Sequence, residues 1–371
     1  MSFRLPAYCP PDFSRQPLAS APLARFAPAE RDGVAPDGFH ATSIFPEYVH
    51  LAPGQWGLAA QSRMDCVIVL RSTGTLDVVE FRHLRAGDAV ACGRDDDGSS
   101  GIYLHKEPFR TDSDATPADA FAFRTRMTRE SPFSVDYDEL YDLLEYEREH
   151  GFAVWVVGPA AVFDHDARRA LAWMIRHDFV QALLAGNALA THDVEAALYA
   201  TGLGLDLYTR RPAPGGHYHH LDALNAVRRL GSLDAARREG LITDGVMHAL
   251  LTKNIPCVLA GSIRDDGPMP EVLGDAYAAQ DAMRALLRRA TTVIALATQL
   301  HTIAAGNMTP AWTVAAAGSI RPVYFYIVDM SEFVINKLVN RGSLAARPIL
   351  TNVQDFLVIA QRGLSGRLRS P

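Results

Sequence analysis

The stretch FAVWVVGPAAVF, Phe152 to Phe163, decides how the second half of the chain is read. It opens with an apolar run in which no polar residue alternates, and it stops at Gly158-Pro159. A strand of that composition is buried on both faces, and such strands belong to parallel sheets covered by helices on each side. The flanks agree. DYDELYDLLEYEREHG, ending at Gly151, spaces its apolar residues by three and four and closes on glycine, which predicts a helix. Asp164 is placed to cap another helix in HDARRALAWMIRHD. FVQALLAGNALA then supplies a second strand, and HDVEAALYATG begins a helix. LDALNAVRRLGSLDAARREG and DGVMHALLTKN read as further helices. Strands recur at IPCVLAGS, TTVIALATQ and VYFYIVDMS, the first two joined by the helical EVLGDAYAAQDAMRALLRRA. The expectation is a Rossmann-like, doubly wound parallel sheet with right-handed crossovers.

Upstream the texture is different. From about residue 36 to 110, short β-type runs such as YVHLA, DCVIVLR, LDVVEF and DAVACG alternate with Gly, Asp, Ser and Pro, which predicts a β-rich domain. The chain is therefore divided into a Pro-rich arm (1–35), a β-rich domain (36–125) and a nucleotide-binding domain (126–371). Hydrophobic residues make up 48% and charged residues 21% of the 371, and the net charge is −6, so no basic surface advertises nucleic acid. No apolar run approaches the ~20 residues of a membrane span, and no secretion-type apolar core opens the chain. Cys9, Cys66, Cys92 and Cys257 are far apart with no CxxC pair, which predicts free thiols and a cytoplasmic location.

In an open α/β sheet, ligands bind beyond the carboxyl ends of the strands. Those ends carry Gly158-Pro159, then Gly186-Asn187-Ala188, then Arg264-Asp265-Asp266-Gly267, then Thr298-Gln299-Leu300-His301, then Asp329-Met330. Small residues admit a ligand to the backbone, helix N-termini receive phosphate, and an acid after a strand suits ribose hydroxyls. The set resembles a dinucleotide site, although GPAAVF lacks the GxGxxG fingerprint. Alternatives remain open on the residues alone: Gly158 and Gly186 as tight turns, Asp329 as a helix cap, and His301 as a hydrogen-bonding residue at a helix start.

Several segments in order resemble one family. LLAGNALATHDVEAAL, GGHYHHLDALNAVRRLGS, VLAGSIRDDGPMPEV, LHTIAAGNMTPA, DMSEFVINKLVNRGS and TNVQDFL are similar to the NAD-dependent ornithine cyclodeaminases, a family related to the LOR/SDH conserved region. RDGVAPDGFHATSIFPEYVHL and MDCVIVL resemble its β-rich domain, so the similarity covers about residues 31 to 362. The resemblance implies a nucleotide-binding domain like that of deoxyhypusine synthase, with NAD at the strand ends. It implies cofactor contacts from Gly186, Asn187, Ala188, Asp266, Thr298, Gln299, Leu300, His301, Asp329, Met330, Asn352 and Val353. Deoxyhypusine synthase has a lysine near the position of Gln299; its absence here argues against protein-lysine modification.

The implied reaction is transient oxidation of a diamino acid by tightly bound NAD, cyclisation with loss of ammonia, and re-reduction, converting ornithine to proline or a close analogue. The alternative is an amino-acid or opine-type NAD-dependent dehydrogenase with net hydride transfer. Arg264 offers a fork for the substrate carboxylate. Asp265 can pair with an ammonium or act as base, and His301 suits proton transfer. His217, His220 and Asn225 match the family pattern as substrate-binding residues. GHYHH alone also reads as a plain loop or as metal ligands, but no second cluster completes a metal site, so no metal is expected. His40, Thr42 and Ser43 are candidates for a cleft between domains. The family resemblance implies a homodimer or homotetramer.

Overall fold

The computed structural model describes residues 3–61, 63–110, 134–265, 267–315, 318–332, 334–335 and 343–368. In the first part, two antiparallel sheets face each other. One has four strands in the order Arg25–Pro28, Ala89–Cys92, Val67–Leu70, Leu76–Val79; the other has Gln55–Leu58, Glu47–Ala52 and Ile102–Leu104. The period of two decides which side chains meet: Cys66 and Ile68 join Val49 and Ile102 in one core, while Val67 and Val69 turn to the opposite side with Val79 and Val90. The Pro-rich beginning does not stand apart from this body. Arg25–Pro28 is a sheet strand, Ala7–Tyr8 pairs with Phe109–Arg110, and Phe3 packs edge-on against Tyr324.

After the helix α1 (Ser134–His150), six strands form one parallel sheet: β1 (Ala153–Val157), β2 (Ala182–Gly186), β3 (Cys257–Ala260), β4 (Thr292–Leu296), β5 (Tyr324–Asp329) and β6 (Ala345–Leu350). Their spatial order is β3-β2-β1-β4-β5-β6, so the strand order reverses between β1 and β4. The unbroken apolar run of β1 is explained at once. Trp155 and Val157 enter the core on one face, Val154 and Val156 the core on the other, and all four are fully buried. Helices α2 (His165–Arg176), α3 (Asn187–Tyr199), α4 (Gly216–Leu230), α5 (Leu233–Arg238), α6 (Gly245–Thr252) and the C-terminal Val353–Leu368 cover the first face together with α1. The other face carries α7 (Ala276–Leu287) and α8 (Gln299–Met308); the C-terminal helix is α9.

The sequence reading expected five strands, and the structure has six. β6 reads AARPIL, with Arg347 and Pro348 in its middle, and it lies at the sheet edge. An edge strand tolerates a proline because the missing N–H faces away from the ladder, so its sequence does not have to look like that of a central strand.

The two parts of the chain meet through Glu80, whose carboxylate pairs with Arg63, Arg82 and Arg284, the last from α7. Arg82 also reaches Asp281 of α7, and Arg63 Nε donates to the Asn307 carbonyl at 3.2 Å. Three cations crowd one carboxylate there. Burial, followed by the repulsion of Arg63 and Arg288, pulls the Arg284 guanidinium down to about 10.

Within the covered face, Arg168 of α2 donates from Nε to Asp193 Oδ1 of α3 at 2.6 Å and from Nη2 to Asp244 Oδ1 at 2.7 Å. Asp193 is fully buried and accepts the Val246 and Met247 N–H groups at 3.1 and 2.7 Å, so it also caps α6. Burial alone would pull the Arg168 guanidinium down; Asp193 and Asp244 outweigh it and hold it above its ordinary value. Removing one partner of such a pair leaves a buried charge without compensation. Asp193→Ala is therefore expected to lower unfolding free energy by about 3 kcal/mol in chemical denaturation, whereas the doubly apolar Arg168→Met/Asp193→Leu should lose less. Equal losses for the single and double variants would refute the buried-charge account.

Candidate functional site

The crevice where the strand order reverses is built from backbone at close quarters. The Gly158 N–H donates to the Leu296 carbonyl at 2.9 Å, and a methyl group at Gly158 would collide with the Ala297 carbonyl. Ala297 itself has φ +46°, a left-handed conformation that a residue with a Cβ adopts only at a cost. It leads directly to Thr298 and α8. Neither α8 nor α3 has a side-chain cap: Thr298 and Gly186 occupy their N-cap positions without such a bond. The first N–H groups of two helices therefore open at the same end of the sheet, where an anion is favoured.

On the helix-rich face, at the ends of β1, β2 and β3, lies a cavity of about 390 Å³. Pro159 and Phe163 form the wall after β1; Asn187, Ala188, Thr191 and His192 come from the first two turns of α3. His220, Leu221 and Leu224 of α4 form another side, and Arg264, Asp265 and Gly267 close it from the loop after β3. Asn187 Oδ1 accepts the Met269 N–H at 3.0 Å and the Thr191 hydroxyl at 3.2 Å, which ties α3 to that loop. Asp265 Oδ2 accepts the Ser262 N–H at 2.8 Å, a bond that fixes the half-buried carboxylate on its own loop beside the exposed Arg264.

The site reading from sequence thus meets the structure unevenly. Asn187, Ala188, His220, Arg264 and Asp265 converge on one cavity. Asp266 lies outside the described residues. His217 sits a turn before His220, exposed beside Tyr218, and Asn225 is exposed past Leu224; neither lines the cavity. Thr298, Gln299, Leu300 and His301 stand at the end of β4, with Gln299 and Leu300 exposed. Asp329 and Met330 follow β5. Asp329 Oδ1 accepts the Ser331 N–H at 2.9 Å and its carbonyl accepts the Thr351 N–H at 3.1 Å. Asn352 Oδ1 accepts the Gln354 N–H at 2.7 Å at the start of α9, whose first residue, Val353, is buried. His301 connects the two groups: a methyl group on Gly186 would sit 3.1 Å from its Cε1. His40, Thr42 and Ser43 do not reach this cavity, although Thr42 and Ser43 line a separate narrow cleft that Trp312 closes from the second part of the chain. His40 is bound to Glu47 at 2.9 Å, Thr42 to the Arg63 carbonyl, and Ser43 to Glu47 at 2.7 Å, within the β-rich part.

Sequence reasoning missed a polar pair that begins in the cavity wall and continues behind it. His192 Nδ1 lies 2.7 Å from Glu195 Oε2, and Glu195 is completely buried. Burial alone would push the Glu195 carboxyl up. Bonds from His192, the Gly204 N–H and Thr201 outweigh it and hold the carboxyl below its ordinary value. The signal was present in HDVE: ionisable residues three apart on a helix buried between strand and helices have to find polar partners in the interior. Among the described residues, no group of three or more His, Cys, Asp or Glu side chains could hold a metal ion, and no helix is long and apolar enough to cross a membrane.

Comparison with known proteins places this geometry. Residues 140–360 match the family model described as arginine dihydrolase ArgZ-like, C-terminal, Rossmann fold. An ornithine cyclodeaminase of Methanopyrus kandleri is 41% identical over 335 residues, covering 90% of this chain and 76% of that one. A conserved LOR/SDH protein from Methanococcus maripaludis superimposes with a TM-score of 0.84 at 35% identity, covering 94% of this chain and all of the other. AgrE, a bifunctional arginine dihydrolase/ornithine cyclodeaminase of Nostoc, is known in a ternary complex with ornithine and NAD+. That structure aligns at a TM-score of 0.59 and 32% identity over 95% of this chain and 47% of its own.

One property of the site is measurable without a ligand. Burial pushes the His301 imidazole below its ordinary 6.5. In NMR spectra of protein labelled at histidine Cε1, with His301→Gln to assign the resonance, His301 is expected to titrate below 6.5. Since the unfolded chain then binds this proton more readily, His301 costs stability as pH falls below 6.5, and the cost grows down to its folded value. A midpoint at or above 6.5 would overturn the assignment of a buried ring.

Proposed function

The chain belongs to the ornithine cyclodeaminase family, and from that we propose that it converts ornithine to proline and ammonia with NAD acting catalytically. The observation that carries the reading is the convergence of Asn187, Ala188, His220, Arg264 and Asp265 on one cavity beside the reversal of strand order. Its volume of about 390 Å³ suits a small amino acid.

The residues at the crevice fit a dinucleotide. Two uncapped helix N-termini can receive its phosphates, and Gly158 lets the β1 and β4 ends pack backbone to backbone beside them. We assign Gly186, Asn187, Ala188, Thr298, Gln299, Leu300 and His301 to that contact. Asp329, Met330, Asn352 and Val353 border it at the ends of β5 and β6, and Asp266 completes the set by sequence. Bound there, NAD supplies a hydride acceptor that becomes the donor later in the same cycle, leaving no net redox change.

The chain's own residues bind and orient the amino acid. Arg264 lies at the rim and pairs with the α-carboxylate as a fork. Asp265 keeps one oxygen on the Ser262 N–H and presents the other to a substrate ammonium. Phe163, Leu221 and Leu224 line the wall against the aliphatic stem and keep water from the imine formed after oxidation. His301 is neutral at physiological pH because it is buried, and it closes over Gly186 at the cofactor side. We further propose a cytoplasmic homo-oligomer, on the cysteine and family grounds given for the sequence.

Two measurements test the reading. Mild denaturation followed by mass spectrometry is expected to release NAD from the purified protein, and ornithine is then expected to give proline and ammonia in equal amounts with no accumulation of NADH. Stoichiometric NADH would instead establish a dehydrogenase. Asp265→Asn is expected to retain NAD and lower kcat/KM by about 10²-fold, the order of a lost charge-assisted contact that strengthens during the reaction. A change under threefold would remove Asp265 from the site.

A further inference from the structure

Ammonium oxidation needs a group that takes a proton and later returns one, and the cavity wall contains a group arranged for both. His192 lines the cavity from the second turn of α3 and is itself buried. Glu195 surrounds itself with donors: His192 Nδ1 at 2.7 Å and the Leu203 N–H at 3.2 Å on Oε2, the Thr201 hydroxyl and the Gly204 N–H at 3.0 Å each on Oε1. A carboxylate so placed only accepts. The imidazole proton must then sit on Nδ1, and Nε2 keeps its lone pair. That nitrogen makes no hydrogen bond among the described residues.

A second layer holds the carboxylate. Thr201 Oγ1 lies 2.8 Å from His219 Nδ1, so it donates to Glu195 while accepting from His219, whose ring stacks on Tyr199. The same order of imidazole and buried carboxylate, with tautomer fixed and imidazolium stabilised, is the working principle of carboxylate–histidine dyads on unrelated folds. The groups facing His192 are Glu195 from its own helix, His220 of α4 with ring centroids 6.2 Å apart, Phe163 at 5.0 Å, and Arg264 and Asp265 across the cavity.

We propose that His192 is the catalytic base and acid of the reaction, with Glu195 as its positioning residue. The inference rests on the ornithine reading above. Nε2 removes a proton from the substrate's α-ammonium: one N–H bond breaks, an Nε2–H bond forms, and the freed lone pair assists departure of hydride from Cα. The second amine, having given its own proton to solvent, attacks the resulting iminium carbon. The ring nitrogen, now an ammonium, gives a further proton to solvent and regains the lone pair that forms the ring C=N bond as the α-nitrogen leaves. The imidazolium then returns its proton to the α-nitrogen, which leaves as ammonia with the electron pair of its C–N bond. The cyclic iminium accepts the returning hydride, and His192 is neutral again.

The test is steady-state kinetics of the NAD-loaded enzyme with ornithine. His192→Ala is expected to lose kcat by about 10³-fold with KM within about threefold, and exogenous imidazole should restore turnover. Glu195→Gln removes the charge that stabilises the imidazolium, so the acid limb of its kcat/KM profile should move to lower pH, a change that a purely architectural role would not produce. Should His192→Ala fail to fold, His192→Gln keeps the volume, and the Glu195→Gln profile decides alone. A kcat within threefold of the parent, or an unmoved acid limb in Glu195→Gln, would overturn the proposal. If the parent enzyme binds NAD but forms no proline, the ornithine reading fails instead, and His192 is not implicated.

Discussion

The site depends on how α3 is held, and Asp193 holds it. One buried carboxylate accepts from Arg168 of α2 and from two N–H groups that begin α6, so three helices share a single point of attachment on the cavity-bearing face. Every polar residue that α3 sends toward the cavity or its backing, namely Asn187, Thr191, His192 and Glu195, lies within two turns of that point. A shift of α3 by a fraction of an ångström would carry them all together. A hydrogen-bonded ion pair is a stiff way to prevent it, because its partners cannot slide without leaving charge unpaired in an apolar interior.

The second constraint is the reversal of strand order. β1 and β4 run side by side while their following helices depart to opposite faces, which opens a crevice beyond the point where Gly158 and Ala297 pack against each other. The positive φ of Ala297 is the local expression of this geometry: the chain must turn sharply to free the α8 N-terminus without a capping side chain. Strain and uncapped N–H groups both disfavour the ligand-free fold. Their coincidence at one crevice is what a bound anion would offset.

Much of this was legible in the sequence because the physical causes are local. A strand buried on both faces has to be apolar throughout, and so β1, β2, β4 and β5 announced themselves; a ligand site at the carboxyl ends follows from topology once those strands are known. What was not legible depended on distant partners. β6 is an edge strand and escapes the compositional rule through Pro348. His217 and Asn225 fit a family pattern on α4, yet only the turn bearing His220, Leu221 and Leu224 faces the cavity. The role of Glu195 is set by the backbone N–H groups of Leu203 and Gly204, in a hairpin whose return to α3 no short-range pattern encodes.

The two carboxylates at the cavity differ in one respect that assigns them different work. Glu195 has every acceptor direction occupied by a protein donor, so a substrate ammonium has nothing left to bind there; its charge acts through His192 alone. Asp265 commits one oxygen to the Ser262 N–H and is only half-buried, which leaves the other oxygen free for a cationic ligand. A diamino acid brings two ammonium groups that must be treated oppositely, one deprotonated for oxidation and one held in place until it attacks. In the proposed reaction, a saturated carboxylate behind an imidazole and an unsaturated one at the opposite wall would provide that asymmetry. It arises from hydrogen-bond occupancy rather than from residue type, because both groups are ordinary acids in the sequence.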